Sequence, residues 1–219
     1  MLQLTRAAFT CTEPPDALDA MRQAFDASHA IRLPRLLDPD LLDLVRRTVR
    51  HASFSDREDP GLAREQCMDQ NGILGLLFLI MNDERLFDVI RRITGCAPIG
   101  SFAGRVYLLR QGAGHYGRWH SDVDGARLIG ISVNLTEGEF TGGRFELRDL
   151  DSGDVTSRIA NAGPGDAVLF RIADNLQHRV TEVEGHVPRV AFAGWFQSQP
   201  HFLDVLKGGA ETVESHEVY

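Results

Sequence analysis

Apolar residues recur along this chain in two different periods. From Pro14 to about residue 95 they fall three and four positions apart. In "DPDLLDLVRRTVRH", Leu41, Leu42, Val45 and Val49 mark one face of a helix. Asp38 stands before them as an N-cap, and Pro39 takes the first helical position. "NGILGLLFLIMNDERLFDVIRRITG" predicts two more helices, broken near Asn82 and Asp83 and stopped by Gly95. The polar stretch between, "SFSDREDPGLAREQ", predicts a loop. From about Ile99 the pattern shortens. "GRVYLLR", "ARLIGISVNL", "GRFELRD", "DAVLFRI", "HRVTEV" and "RVAFAGWF" are short runs rich in β-branched and aromatic residues, punctuated by "QGAG", "TGG", "NAGPGD" and "EGHVP". Many short strands with Gly and Pro turns predict an all-β barrel or jelly roll.

The expected fold class is therefore α+β, a jelly-roll barrel buttressed by N-terminal helices. One domain is expected over residues 1–219: mainly helical support at 14–95, a β core at 99–197 and a tail at 198–219. A 219-residue chain with 43% hydrophobic residues is large enough for one sizeable core. The net charge of −8 argues against a nucleic-acid partner, because phosphate binding needs a basic surface. Three cysteines, far apart and odd in number, are neither a disulfide framework nor a zinc set. No charged-then-apolar leader opens the sequence, and "ILGLLFLIM" is about half a membrane span. These features predict a cytoplasmic protein without a membrane partner.

The candidate chemistry lies in "GRWHSDVDG". On a strand, His120 and Asp122 point to the same face, and Ser121 points away. One imidazole and one carboxylate a pleat apart can share a cation. Alone this spacing is a weak signal. A third ligand is His178, in a segment whose turn at Glu184-Gly185 predicts a hairpin pairing position 178 with about 191. Arg189 then falls diagonal to His178 on the same face, although a one-residue slip would flip that parity. Two His and one carboxylate leave open positions on a metal, as in non-haem Fe(II) oxygenases. An arginine nearby suits a dicarboxylate cosubstrate, held by a bidentate pair, with O2 at the last position. Taken singly, His178 also reads as a satisfied core histidine, and Arg189 as a surface strand residue. Their joint order argues against both readings.

The pieces "GAGHYGRWHSD", "LIGISVNLTEGEFTGGRFEL", "GPGDAVLF" and "QHRVTEVEGHVPRVAF" resemble the 2-oxoglutarate- and Fe(II)-dependent dioxygenase superfamily, nearest its prolyl-4-hydroxylase-like branch. The resemblance runs from Gly104 to Phe196. It implies a double-stranded β-helix, and Fe(II), 2-oxoglutarate and O2 as cofactor and cosubstrates. It implies His120, Asp122 and His178 as metal ligands and Arg189 as the clamp on the distal carboxylate. Asn134 falls where relatives often place a Tyr that helps hold that carboxylate. Arg110 falls where relatives carry a Tyr about ten residues before the first His. Facing inward it adds charge near the cosubstrate or substrate; facing outward it is a rim residue. Ala191 replaces a Ser common in relatives. No catalytic residue beyond the metal ligands is expected.

The implied function is hydroxylation of an unactivated C–H bond in a small molecule, free or attached to a carrier or peptide, with release of succinate and CO2. A peptidyl-prolyl-type hydroxylase and a non-redox, cupin-like metal- or sugar-binding jelly roll are the alternatives. Trp119 is expected to point off the metal face, towards either core or substrate. His115, Tyr116 and Arg118 lie on a Gly-rich loop at the expected mouth. Residues 52–71 are either a lid or an ordinary connection, and the tail offers no ligand set.

Overall fold

A computed structural model describes residues 1–160 and 163–199. The chain opens with a hairpin of β1 (Leu2–Leu4) and β2 (Phe9–Cys11), followed by α1 (Pro15–Ser28), β3 (Ala30–Leu33) and α2 (Pro39–Arg50). A second hairpin, β4 (Phe54–Asp59) and β5 (Ala63–Met68), leads to α3 (Gly72–Met81) and α4 (Glu84–Thr94). The rest is strand: β6 (Ser101–Leu109), β7 (Tyr116–Gly117), β8 (Arg127–Asn134), β9 (Thr141–Gly142), β10 (Phe145–Asp149), β11 (Val155–Ile159), β12 (Ala167–Arg171), β13 (Leu176–Val180), β14 (Val183–Glu184) and β15 (Arg189–Gln197).

The helix ends follow local chemistry. Asp38 accepts from the Leu41 amide at 2.8 Å and Pro39 opens α2. Asn82 ends α3 and ties it to β6: its Oδ1 accepts from the Phe102 amide at 2.8 Å, and its Nδ2 donates to the Phe102 carbonyl at 3.1 Å. Asp83 then caps α4 through the Arg85 amide, and Gly95 ends it with φ +65°.

The strands form a large sheet in the order β3-β12-β8-β15-β6-β5-β4, with β7 on β5, facing a smaller sheet β11-β10-β13. This is the double-stranded β-helix of an α+β fold. The alternation along β15 shows how it is held. Val190, Phe192 and Phe196 join Val106 and Leu108 of β6 and Ile129, Ile131 and Val133 of β8 in a core shared with the helices. Phe102 lies 5.6 Å from Phe192 and 5.1 Å from Phe196 in this layer. The opposite face of β15, at Arg189, Ala191, Ala193 and Trp195, turns to the barrel interior.

Three sequence expectations are corrected. Residues 54–68 are not a loop but a six-rung hairpin turning at Pro60-Gly61, with Gly61 at φ +78°. Both its strands are charged, so alternation did not reveal them, and charge suits an exposed sheet edge. The helical region 14–95 also contains β3, which extends the large sheet beside β12, and the β1–β2 hairpin precedes it. Finally, β13 and β15 do not form a hairpin. His178 sits opposite Leu147 of β10, whereas β15 lies between β6 and β8. The short β14, paired with β9, carries the chain from one sheet to the other. The tail expected at 198–219 lies outside the described residues beyond Gln199.

Candidate active site

His120 is not within a strand. It forms a single bridge to β13, in which the His120 amide donates to the His178 carbonyl at 3.1 Å and the reverse bond is 2.9 Å. This bridge brings the two imidazoles to 4.3 Å between centroids. Asp122 follows two residues on: its Oδ1 is 3.7 Å from His120 Nε2 and its Oδ2 is 3.3 Å from His178 Nε2. One donor atom from each of the three residues lies within 4.8 Å of the other two. Ser121 also borders the interior rather than pointing away from it.

The electrostatics suit a cation. Burial pushes the His178 imidazole down to about 4, with His120 adding to the effect, so His178 is neutral near pH 7. His120 Nδ1 lies 2.7 Å from the Arg118 carbonyl, which accepts from it and turns Nε2 towards the cluster. Trp195 Nε1 donates to Asp122 Oδ2 at 2.6 Å. Two imidazoles and one carboxylate, oriented by neighbours, are a fitting donor set for Fe(II) with open positions.

A second feature lies behind this cluster. Arg189 is 8% exposed, yet among the described residues it has no carboxylate partner. Its guanidinium donates to the Tyr107 hydroxyl and, at 3.2 Å, to Ser132 Oγ. Tyr107 and Ser132 wall a cavity of about 260 Å³ that is also walled by His120, Asp122 and His178. The strands explain the convergence. Ala191 is opposite Tyr107, and Ala193 is opposite both Arg105 and Ser132, so the small β15 residues leave room between larger neighbours.

The remaining expectations fare differently. Asn134 is one pleat beyond Ser132, but its amide serves the chain: Oδ1 accepts from the Thr136 amide and Nδ2 donates to the Gly163 carbonyl. It does not border the cavity. Arg110 is exposed, in the loop after β6, where its amide donates to His115 Nδ1. The inward phenol comes instead from Tyr107, three residues earlier. Trp119 faces neither core nor cavity; the guanidiniums of Arg148 and Arg179 lie 4.6 and 4.5 Å from its ring. Sequence reasoning missed Tyr107, Ser132, Trp195, Arg105 and Arg127. Trp195 was within reach, since it shares the parity of Arg189 in "RVAFAGWF".

Comparison with known proteins agrees with this geometry. Residues 105–197 match the model of the 2OG-Fe(II) oxygenase superfamily. No curated protein matches the sequence. Among solved structures, a Pseudomonas putida prolyl-4-hydroxylase is similar with TM-score 0.62 and 18% identity, covering 83% of this chain and 99% of that one. The α-ketoglutarate-dependent epimerase SnoN from nogalamycin biosynthesis is similar with TM-score 0.61 and 14% identity, covering 84% of each chain. A Trichoplax adhaerens prolyl hydroxylase, in complex with a hypoxia inducible factor peptide fragment, has TM-score 0.56 and 14% identity, covering 85% of this chain and 94% of that one. Through this match over residues 105–197, a little under half of the chain, the protein is identified as a 2-oxoglutarate-dependent non-haem iron oxygenase, with Fe(II) as cofactor and 2-oxoglutarate and O2 as cosubstrates.

Proposed function

We propose that this oxygenase hydroxylates a small organic molecule, with His120, Asp122 and His178 as the iron ligands and Arg189 as the clamp for the cosubstrate. The observation that carries the reading is the buried Arg189 cation, without a carboxylate partner among the described residues, behind a cavity that the His/Asp/His cluster also walls. A buried guanidinium calls for an anion, and a carboxylate matches its two-pronged donor edge. Tyr107 and Ser132 hold the guanidinium in place and offer hydroxyls to the same anion. Asn134 and Arg110 are left out of this clamp. When bound, the metal supplies O2 activation and oxidative decarboxylation of 2-oxoglutarate to succinate and CO2, coupled to oxidation of the substrate.

The protein's own share is placement and exclusion of water. Trp195 and the Arg118 carbonyl orient the ligands. Phe170 lies 4.5 Å from His178 and Phe145 lies 5.9 Å from it, giving the site an apolar wall. A cavity of about 260 Å³ favours a small substrate over a folded partner. The cysteines are free among the described residues, in keeping with a reducing compartment such as the cytoplasm. No helix among those residues is long and apolar enough to cross a membrane.

The test is anaerobic. Fe(II) and then 2-oxoglutarate are added to metal-free protein, and the visible charge-transfer band of a chelated 2-oxo acid is followed. The expected result is a band in the wild type that Arg189→Ala weakens and His178→Ala removes. A band of normal affinity in His178→Ala, or none in metal-loaded wild type, would overturn the assignment.

A further inference from the structure

The rim of the cavity gathers guanidinium groups. The chain as a whole has a net charge of −8, yet Arg57, Arg105 and Arg127 all border this one cavity. Asp59, Glu65 and Asp122 border it too, but they leave donor nitrogens of Arg105 and Arg127 unused. Glu65, buried between Arg57 at 3.4 Å and Arg105 at 2.9 Å, serves two guanidiniums with one carboxylate. Arg105 meets it through Nε, and among the described residues its terminal nitrogens have no hydrogen-bond partner. Arg127 has two acids nearby. Asp122 Oδ1 is 3.7 Å from it, but that carboxylate belongs to the proposed metal site. Asp124 Oδ2 is 2.9 Å from Arg127 Nε without the alignment of a hydrogen bond, so this buried nitrogen is unsatisfied.

Both guanidiniums are held on one ring. Arg127 lies 3.8 Å and Arg105 5.5 Å from the centroid of Trp195, the residue that hydrogen-bonds Asp122. Stacking on a ring fixes a guanidinium's plane and leaves its edge free to donate. The anchor thus sets two cationic donors at a fixed offset from the metal cluster. Phe145, Phe170 and Val180 supply an apolar wall to the same cavity. A ligand that satisfies both sides has a short carbon skeleton ending in an anionic, planar, two-oxygen group.

We propose that the substrate is a small carboxylic acid whose carboxylate is received by Arg105 and Arg127 while its carbon skeleton lies against the apolar wall beside the metal cluster. This rests on the reading of His120, Asp122, His178 and Arg189 as the metal and 2-oxoglutarate site. Arg105 and Arg127 are then specificity residues for the substrate, distinct from Arg189, which is buried behind Tyr107 and Ser132.

The test needs no turnover. The chain has two tryptophans, and Trp119→Phe leaves Trp195 as the one fluorophore. This protein is loaded with Mn(II) and saturating 2-oxoglutarate, whose own binding is followed by the rise in Tm. It is then titrated with short amino and hydroxy acids and with the primary amide of each. The expected result is saturable quenching by at least one acid, with its amide weaker by about tenfold or more, the scale of a charge-assisted bond. Arg105→Gln and Arg127→Gln bring the acid-to-amide ratio towards one, and Arg→Lys at either position, which keeps the charge but not the stacked fork, restores only part of it. General damage to the site would weaken acid and amide together and leave the ratio unchanged. Equal binding of acids and amides, or no acid binding, in protein that takes up 2-oxoglutarate overturns the proposal alone. Failure to take up 2-oxoglutarate overturns the underlying site reading and the proposal with it.

Discussion

Replacing Trp195 with phenylalanine removes a single N–H group from the metal-site surroundings and keeps a ring where the arginines stack. That N–H donates to Asp122 Oδ2 at 2.6 Å, and among the described residues it is the only hydrogen bond to this carboxylate. A hydrogen bond to an ionised group contributes about 1.5 to 3 kcal/mol when its partner is not replaced by water. Asp122 is largely shielded, with 12% of its side chain exposed, so water recovers only part of the loss. With about 1.4 kcal/mol per factor of ten, the variant should bind Fe(II) or Mn(II) about tenfold to a hundredfold more weakly. The assay is a metal titration of apoprotein under anaerobic conditions, read by the charge-transfer band in excess 2-oxoglutarate. Circular dichroism and Tm without metal establish that the barrel is intact. Metal affinity within about twofold of wild type, in a folded variant, would refute the argument that Trp195 orients Asp122.

Further consequences are testable. Arg189→Met should raise the Kd for 2-oxoglutarate about a hundredfold, and Tyr107→Phe about threefold to tenfold, in the same band titration; equal effects would contradict a clamp centred on Arg189. Phe192 is fully buried between Phe78 and Phe102, so Phe192→Ala should cost about 3 to 5 kcal/mol in urea unfolding. Asp83→Ala removes the α4 cap and should cost about 1 kcal/mol near pH 7. The bond from Arg85 holds the Asp83 carboxyl below its ordinary 3.8. A lowered carboxylate stabilises the fold above its unfolded pKa, so the gap between wild type and this variant should close as pH falls below about 4. A gap that does not narrow as pH falls below about 4 would mean that the carboxylate charge is not the source.

Legibility in the sequence followed the strength of periodicity and the locality of the signal. Asp38, Pro39, the break at Asn82-Asp83 and the stop at Gly95 were readable because caps are fixed by neighbours a few positions away. The β4–β5 hairpin was not, since charges on both faces of an edge pair erase alternation. His120, Asp122, His178 and Arg189 were picked out by residue type and order, but the pairing drawn between His178 and Arg189 was wrong. The two residues stand on different sheets, linked by the crossover through β14, and no local pattern encodes a strand's choice of sheet. Asn134 and Arg110 came from position in a family pattern alone. Their side chains answer to a loop carbonyl and to solvent, whereas Tyr107, opposite Ala191, is the residue that meets Arg189.

The two faces of β15 have a consequence for variation. Odd positions turn to the barrel interior, Ala193 and Trp195 bordering the cavity, and even positions, Phe192 and Phe196, face the helices. Exchanging Ala193 for a larger residue should therefore remodel substrate choice while leaving thermal tolerance nearly untouched. Drift among homologous lineages can use that freedom, one odd position at a time. A one-residue deletion in this strand has no such freedom. It would push Phe192 and Phe196 towards the metal and Arg189 and Trp195 into oil, so lineages that change their chemistry are expected to do so by substitution here and by insertion only in the turns.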